Sequence, residues 1–432
     1  MVGNWYQQFM PTGLPNFQVS DMTFIDSLTG WAVTGNSMPN DSSGYILKTT
    51  NGGDNWQLQL AETRDFSRVK FLNSNTGYVS GGYYTGARLY KTTNGGTNWF
   101  LINGPGGQIF YDDMSVLNED TIWIAISQFA SGGVFRTTNA GANWTQQLNI
   151  GGSNPDRIYM YNRNIGFISR TSSPQLRKTT DAGLSWNIVS GTGTGSFNDI
   201  FFIDSLTGWK AKSVGGGGWL MGKSTDGGYN WIEQILPFGG NISSGSGIVR
   251  FNNINQDTIW GAGGNLFYPG QGARVFLYRS TNGGDNWYLQ IPDTSYQIPT
   301  LSFIDFIDKQ KGWSYMAGSR GIHTTTGGDT TFLLPVKQIG NNIPTGFNLF
   351  QNYPNPFNSM TKLKFQMSKQ GYIQIKLFDV TGREIFVIVN ERLNAGEYET
   401  SFEATNFSSA IYFYSLIADG KLIDTKKMIL VK

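Results

Sequence analysis

Cysteine is absent from all 432 residues and histidine occurs once. The first absence removes disulfides, thiolate nucleophiles and thiolate metal sites together, so stability has to come from packing. The second leaves imidazole chemistry to one residue, His323. Charge is scarce as well: 14% of residues are charged, with 32 basic against 30 acidic and a formal net charge of +2. With no polybasic run, the chain lacks the electrostatic footprint of nucleic-acid binding, and it has no general attraction to an anionic membrane. No apolar run reaches the roughly 18 residues of a spanning helix, so the chain reads as not membrane-spanning. The first twenty residues show no charged segment leading into an apolar one; an export leader removed ahead of Met1 is the expectation. Carboxylates never fall in the DxDxDG spacing of a calcium loop. Gly215 to Gly218 are not followed by the Lys-Ser/Thr of a phosphate cradle. Neither a metal nor a cofactor is expected.

Glycine and aromatic side chains are abundant instead, with 56 Gly, 29 Phe, 20 Tyr and 13 Trp. That composition suits many short strands joined by tight turns. A nine-residue signature recurs at Lys48–Trp56 (KTTNGGDNW), Lys91–Trp99, Arg136–Trp144, Lys178–Trp186, Lys223–Trp231 and Arg279–Trp287. A seventh copy, HTTTGGDTT from His323 to Thr331, has no tryptophan. Successive motif tryptophans lie 43, 45, 42, 45 and 56 residues apart, close to the about 40–45 residues of a four-stranded propeller blade. A second motif precedes each copy: an apolar strand, an Asn/Asp/Gly turn, then a strand opening on an aromatic, as in MTFIDSLTGWAV from Met22.

Seven copies of both motifs predict seven blades, with blade one reading as strands at 21–25, 31–34, 44–49 and 56–60. The start of the chain, Asn4-Trp5-Tyr6-Gln7-Gln8, supplies the tail that the seventh copy lacks. The expectation is an all-β, seven-bladed β-propeller in which Trp5–Met10 pairs with the strand ending near Thr325 and closes the last blade. Closure matters because open edge strands invite pairing with other chains. The propeller is placed at residues 1–334.

The turn signature resembles the Asp-box, S/T-x-D/N-x-G-x-x-W, of sialidases, sortilin-like receptors, xyloglucanases and photosystem assembly factors. The resemblance implies a structural hairpin away from any active site. The residues carrying it are Asn51 and Trp56, Asn94 and Trp99, Asn139 and Trp144, Asp181 and Trp186, Asp226 and Trp231, and Asn282 and Trp287. Asn51 and its equivalents are expected to accept amides two or three residues on, while Gly53 supplies a positive φ.

After about Leu334 the repeats end in a Pro, Gly and Asn-rich stretch, read as a linker at 335–346. Residues 347–432 show alternating strands and are read as a small Ig-like β-sandwich. Here NYPNPFN (Asn352–Asn358), FDVTGREI (Phe378–Ile385), LNAGEYE (Leu393–Glu399), SSAIYFY (Ser408–Tyr414) and KKMILVK (Lys426–Lys432) resemble the type A sorting domain of the type IX secretion system of Bacteroidetes. The characteristic residues are Pro354, Asn355, Pro356, Phe357, Gly382, Arg383, Gly396, Lys426, Lys427 and Lys432. Ser359, Phe402 and Ala410 depart from the usual Pro, Trp and Gly. The resemblance implies the type IX machinery as a partner, and a secreted or outer-surface location.

Chemistry in a propeller belongs at the mouth of the central channel, lined by the innermost strands. Counting back from the strand-ending aromatic or its equivalent gives Asp21, Arg68, Asp113, Arg157, Asp199, Ile248 and Thr300. Tyr111, Asp112, Arg64 and Asp65 lie beside them. One reading is a polar mouth, with Asp21, Arg68, Tyr111, Asp113, Arg157 and Asp199 binding a glycan or a surface protein. Another is a glycoside hydrolase or lyase using Asp113 and Asp199. Hydrolysis needs carboxyls at about 5–5.5 Å or 6.5–9.5 Å. A third is an extracellular assembly factor. Against all three stands plain mutual neutralisation of buried Asp and Arg. The only shared inner arginines of this count, Arg68 and Arg157, fall short of a sialidase-like triad. His323 occupies a position held by Lys or Arg in the other copies and reads as structural. Tyr83, Tyr84, Phe267 and Tyr268 are loop aromatics that could stack on carbohydrate.

Overall fold

A computed structural model describes residues 5–15, 18–35, 43–82, 86–105, 110–127, 132–149, 157–170, 173–191, 197–214, 218–234, 236, 247–268, 272–328, 337–340, 343–404 and 407–432. Blade one consists of Val19–Phe24, Gly30–Thr34, Gly44–Thr49 and Gln57–Glu62, paired antiparallel in chain order. Five more four-stranded sheets repeat that order, beginning at Phe66, Phe110, Arg157, Asp199 and Arg250. The seventh contains Phe303–Phe306, Gly312–Tyr315 and Arg320–Thr324, and its outer strand is Tyr6–Phe9. Tyr6 faces His323 and Phe9 faces Arg320 in that ladder. Each innermost strand contacts the next, and the strand of blade seven contacts that of blade one. The fold is a seven-bladed propeller closed by its N-terminal strand.

The core follows from the two motifs. Each of the seven seams between blades holds its own apolar cluster. The aromatic that ends an innermost strand stacks on the aromatic that opens the second strand of the preceding blade. Phe24 lies on Trp313 at 3.7 Å and 4°, Phe71 on Trp31 at 3.4 Å and 11°, and Phe306 on Trp260 at 3.9 Å and 11°. The cation that begins each turn signature covers the same ring: Lys48 sits 5.2 Å from Trp31 and Arg279 4.9 Å from Trp260. Each such aromatic pair adds about 0.5–1.5 kcal/mol to simple burial, and an exposed cation about 0.5–1.

The turn signatures join blades as well as strands. Lys48 Nζ and Trp31 Nε1 donate to the Gly95 carbonyl in the next blade's turn, at 2.7 and 3.3 Å. Within a turn, Thr49 Oγ1 accepts Gly53 N–H at 2.9 Å and Asn51 Oδ1 accepts Asn55 N–H at 2.9 Å. The reach of Asn51 is thus four residues rather than the two or three expected. That shorter geometry belongs to the other turn, where Asp26 accepts Leu28 and Thr29 N–H. Gly52 and Gly53 have φ of 70° and 93°, which a side chain would strain.

Blade seven departs at His323, whose ring stacks on Trp313 at 4.9 Å and 6°. The cation's donor role passes to Gln8, whose Nε2 reaches the Gly52 carbonyl at 2.8 Å, beside Trp313 Nε1 at 2.7 Å.

The tail forms two four-stranded sheets around one apolar core. Lys337–Gly340, within the stretch read as linker, pairs with Gly396–Glu403 and is an edge strand of the sandwich. The NYPNPFN segment clamps the last strand. Asn355 Oδ1 accepts Ile429 N–H at 2.9 Å, its Nδ2 donates to Lys427 O at 3.2 Å, and Phe357 N–H donates to Ile429 O at 3.0 Å. Asp379 holds the following turn, accepting Arg383 Nε at 3.1 Å, while Gly382 takes a φ of 79°. Lys426 pairs with Asp424, and Lys432 N–H donates to Ser409.

Candidate functional site

A cavity of about 270 Å³ opens where the innermost strands converge. Four acids line it, Asp21, Asp113, Asp199 and Asp305, and four bases, Arg68, Lys70, Arg157 and Arg250. The five charged positions expected from blades one to five all lie there. Ile248 and Thr300 do not: Ile248 is buried in the seam between blades five and six, and Thr300 is exposed before the strand of blade seven begins.

The physical reason is register. In blade six the turn acceptor is Asn255, so Asn253, not Phe251, ends the strand and Arg250 takes the channel position. In blade seven that position is Phe303 and the charge moves two residues on, to Asp305.

Tyr111 is likewise corrected. A bulge between Tyr111 and Asp113 turns its ring into the seam between blades two and three, where its hydroxyl donates to the Pro105 carbonyl at 3.0 Å. It does not line the cavity. Tyr83, Tyr84 and Gly215–Gly217 lie outside the described residues, as do the side chains of Phe267 and Tyr268.

The acids of the channel are tied to backbone. Asp21 Oδ2 accepts Val69 N–H from blade two, Asp113 Oδ2 accepts Ile158 N–H from blade four, and Asp199 Oδ2 accepts Phe251 N–H from blade six, each at 3.0 Å. One tier deeper, Asp305 Oδ2 accepts Phe24 N–H at 2.6 Å across the closing seam. Ser115 and Tyr159 hydroxyls do the same for Met160 and Phe202. An innermost strand has one edge without a ladder partner, and these side chains satisfy amides that would otherwise be orphaned near the channel.

Asp113 Oδ1 also takes Arg68 Nε at 2.6 Å and Met114 N–H at 3.1 Å, with both ion-pair side chains only 13% and 12% exposed. Asp199 Oδ1 takes Ile200 N–H.

Electrostatics follow from crowding. Burial raises the carboxyls of Asp21 and Asp199 above their ordinary value, against the pull of Arg68 and Arg250 respectively. Burial pushes Asp305 up to about 6, opposed by the Phe24 amide and Lys70. Arg157 is pushed down to about 9, by burial first and then by Arg68 and Arg250. Among the described residues no group of three or more His, Asp or Glu could hold a metal ion, and no helix is long and apolar enough to cross a membrane.

Fold and site together define a propeller with a polar, charge-balanced channel and a separate C-terminal sandwich. Residues 351–432 match the family described as secretion system C-terminal sorting domain. The tail is a type IX sorting domain, and the protein is exported to the cell surface or secreted. No curated protein matches the chain.

Among solved structures, YCF48 bound to a D1 peptide is similar with a TM-score of 0.57 at 18% identity, over 75% of this chain and 97% of that one. YCF48 from Cyanidioschyzon merolae gives 0.53 at 17%, over 74% and 98%. The GH74 xyloglucanase from Xanthomonas campestris gives 0.53 at 12%, over 84% of this chain and 59% of that one. At these identities the likeness concerns the fold.

Proposed function

We propose that the protein is a binding module of the cell surface or the surrounding medium, taking a polar ligand, glycan or protein segment, at the mouth of its channel. The observation that carries this reading is the cavity wall itself. It presents acids and bases in equal number, and its acids are held by backbone amides of neighbouring blades. Such a wall holds its acids in fixed hydrogen-bonded positions and is rich in polar groups, which suits recognition.

It suits hydrolysis less. Both oxygens of Asp113 and of Asp199 already accept hydrogen bonds from this chain, whereas a general acid has to carry and deliver a proton. The YCF48 structure with a bound peptide lends the peptide alternative support by analogy of fold alone.

The test is an array of glycans and peptides probed with the full chain, followed by reducing-sugar release on every glycan retained. Saturable binding that weakens in Lys70→Glu, without turnover, is the expected result. Turnover at enzymatic rates would replace this reading with that of a hydrolase.

A further inference from the structure

The outer strand of blade six is covered where its counterparts are bare. Tyr288 follows the motif tryptophan of that blade, and the same position is held by Gln57, Phe100, Thr145, Asn187 and Ile232 in blades one to five and by Tyr6 in blade seven. All of these others are exposed, Phe100 at 55%, Ile232 at 67% and Tyr6 at 44%, whereas Tyr288 is 2% exposed. Residue type does not explain the contrast, because Tyr6 is the same side chain after the same kind of tryptophan. What covers Tyr288 has to come from outside the repeat.

Its neighbours identify the cover. Tyr288 belongs to none of the apolar clusters that fill the seams, and it packs instead with the core residues of the C-terminal sandwich. Its strand, Tyr288–Gln290, is laddered to Gly272–Ser280 and to no strand of the tail. Among the described residues, then, the sandwich meets blade six through side chains and not by adding a strand.

The tether agrees with that placement. Gln290 Nε2, on the same strand as Tyr288, donates to the Gly327 carbonyl at 3.0 Å, so the last turn of the propeller lies beside blade six. Eight residues, 329–336, then separate Gly328 from the sandwich strand that begins at Lys337, a reach of at most about 32 Å. So short a link holds the sandwich at high effective concentration near this edge, and a tethered contact needs little intrinsic affinity to stay closed.

We infer that the outer edge of blade six is a docking surface for the protein's own sorting domain, with Tyr288 as its anchor. The tail is thereby a cap as well as an address, seated on the propeller that it exports. Its detachment uncovers an aromatic side chain on an edge strand that the full chain keeps out of water. This holds whatever the channel binds.

The absence of cysteine allows a clean test. Spin labels on Leu58→Cys, at an exposed position of the outer strand of blade one, and on Leu422→Cys, at an exposed position of the tail, report the separation of the two domains by pulsed electron resonance on the full chain. One narrow distance is expected in this background. It should be retained when Tyr6→Asp is added, and lost to a broad distribution when Tyr288→Asp is added. A broad distribution in the labelled background overturns the docking, and so does a narrow one that survives Tyr288→Asp. Because Tyr288 lies outside the seam clusters, the propeller should keep its melting transition in that variant. If it does not, Tyr288→Ser takes its place, with the same two outcomes.

Discussion

Replacing Asp113 by alanine should harm the fold before it harms any chemistry. The carboxylate takes Arg68 Nε at 2.6 Å, Ile158 N–H at 3.0 Å and Met114 N–H at 3.1 Å, almost out of water. Removing one partner of a buried ion pair costs about 3–5 kcal/mol, because the other charge stays buried without compensation. Orphaning the Ile158 amide adds about 1–3 kcal/mol, though water entering the channel will offset part of it. A net loss of about 3–5 kcal/mol is therefore expected in urea unfolding of the full chain. The double variant Arg68→Met/Asp113→Leu separates charge from contact. It removes both charges and should lie closer to wild type than Asp113→Ala alone. An Asp113→Ala protein within about 0.5 kcal/mol of wild type would refute a structural role for the Arg68–Asp113 pair and its amide contacts and leave Asp113 as an available carboxylate.

Closure gives a second expectation: Trp5, brought by the N-terminal strand, is buried against Phe306 of the same blade, within the seam that blade seven makes with blade six, so Trp5→Ala should cost about 3–5 kcal/mol, and deleting residues 1–10 should lower the melting temperature further. An unchanged melting curve for the deletion would contradict closure. Two groups give opposite pH slopes. His323 is held below its ordinary value by burial, so its folded form disfavours the proton; stability is full above about 6.5 and is lost as pH falls through and below that value. Asp305, raised to about 6, binds its proton more readily folded than unfolded, so acidification from about 7 toward 4 adds stability through it. His323→Gln should remove the first slope and Asp305→Asn the second, as measured by melting temperature across pH 4–8; a variant that leaves its slope in place would overturn the assignment. In the tail, Asn355→Ala leaves Ile429 N–H without its partner and should cost about 1–3 kcal/mol, seen as faster hydrogen exchange at Ile429; unchanged exchange there would contradict the clamp.

Blade number and closure were legible because the Gly-Gly turns and tryptophans recur at blade spacing, and because Trp5 to Gln8 completes the seventh copy. The channel was legible through five blades. It failed at blade six because Phe251 resembles the strand-ending aromatic, whereas Asn253 holds that place. A better ruler lies in the chain. Each turn acceptor, Asp26, Asn73, Asn118, Asn162, Asp204, Asn255 or Asp308, stands a constant distance after the channel residue of its blade, and that count finds Arg250. Asp305 is harder, since its charge has moved to the deeper tier while Phe303 holds the channel position.

Other features have no simple sequence signal. The bulges after Val19, Phe66 and Tyr111 depend on how neighbouring strands close around the channel. The role of Gln8 is apparent only with blade one's turn in place beside it. In the tail, the Asn355 and Phe357 contacts explain why NYPNPFN and KKMILVK occur together: one stretch holds the edge of the other.

Hydrogen–deuterium exchange on the full chain, with and without a ligand retained on the array, tests the central claim that function lies in the channel. The account predicts protection in the innermost strands Val19–Phe24, Phe66–Phe71, Phe110–Val116, Arg157–Met160, Asp199–Phe202 and Arg250–Asn253, with the outer strands and the tail unchanged. Protection confined to the outer strands or to the C-terminal sandwich would contradict it.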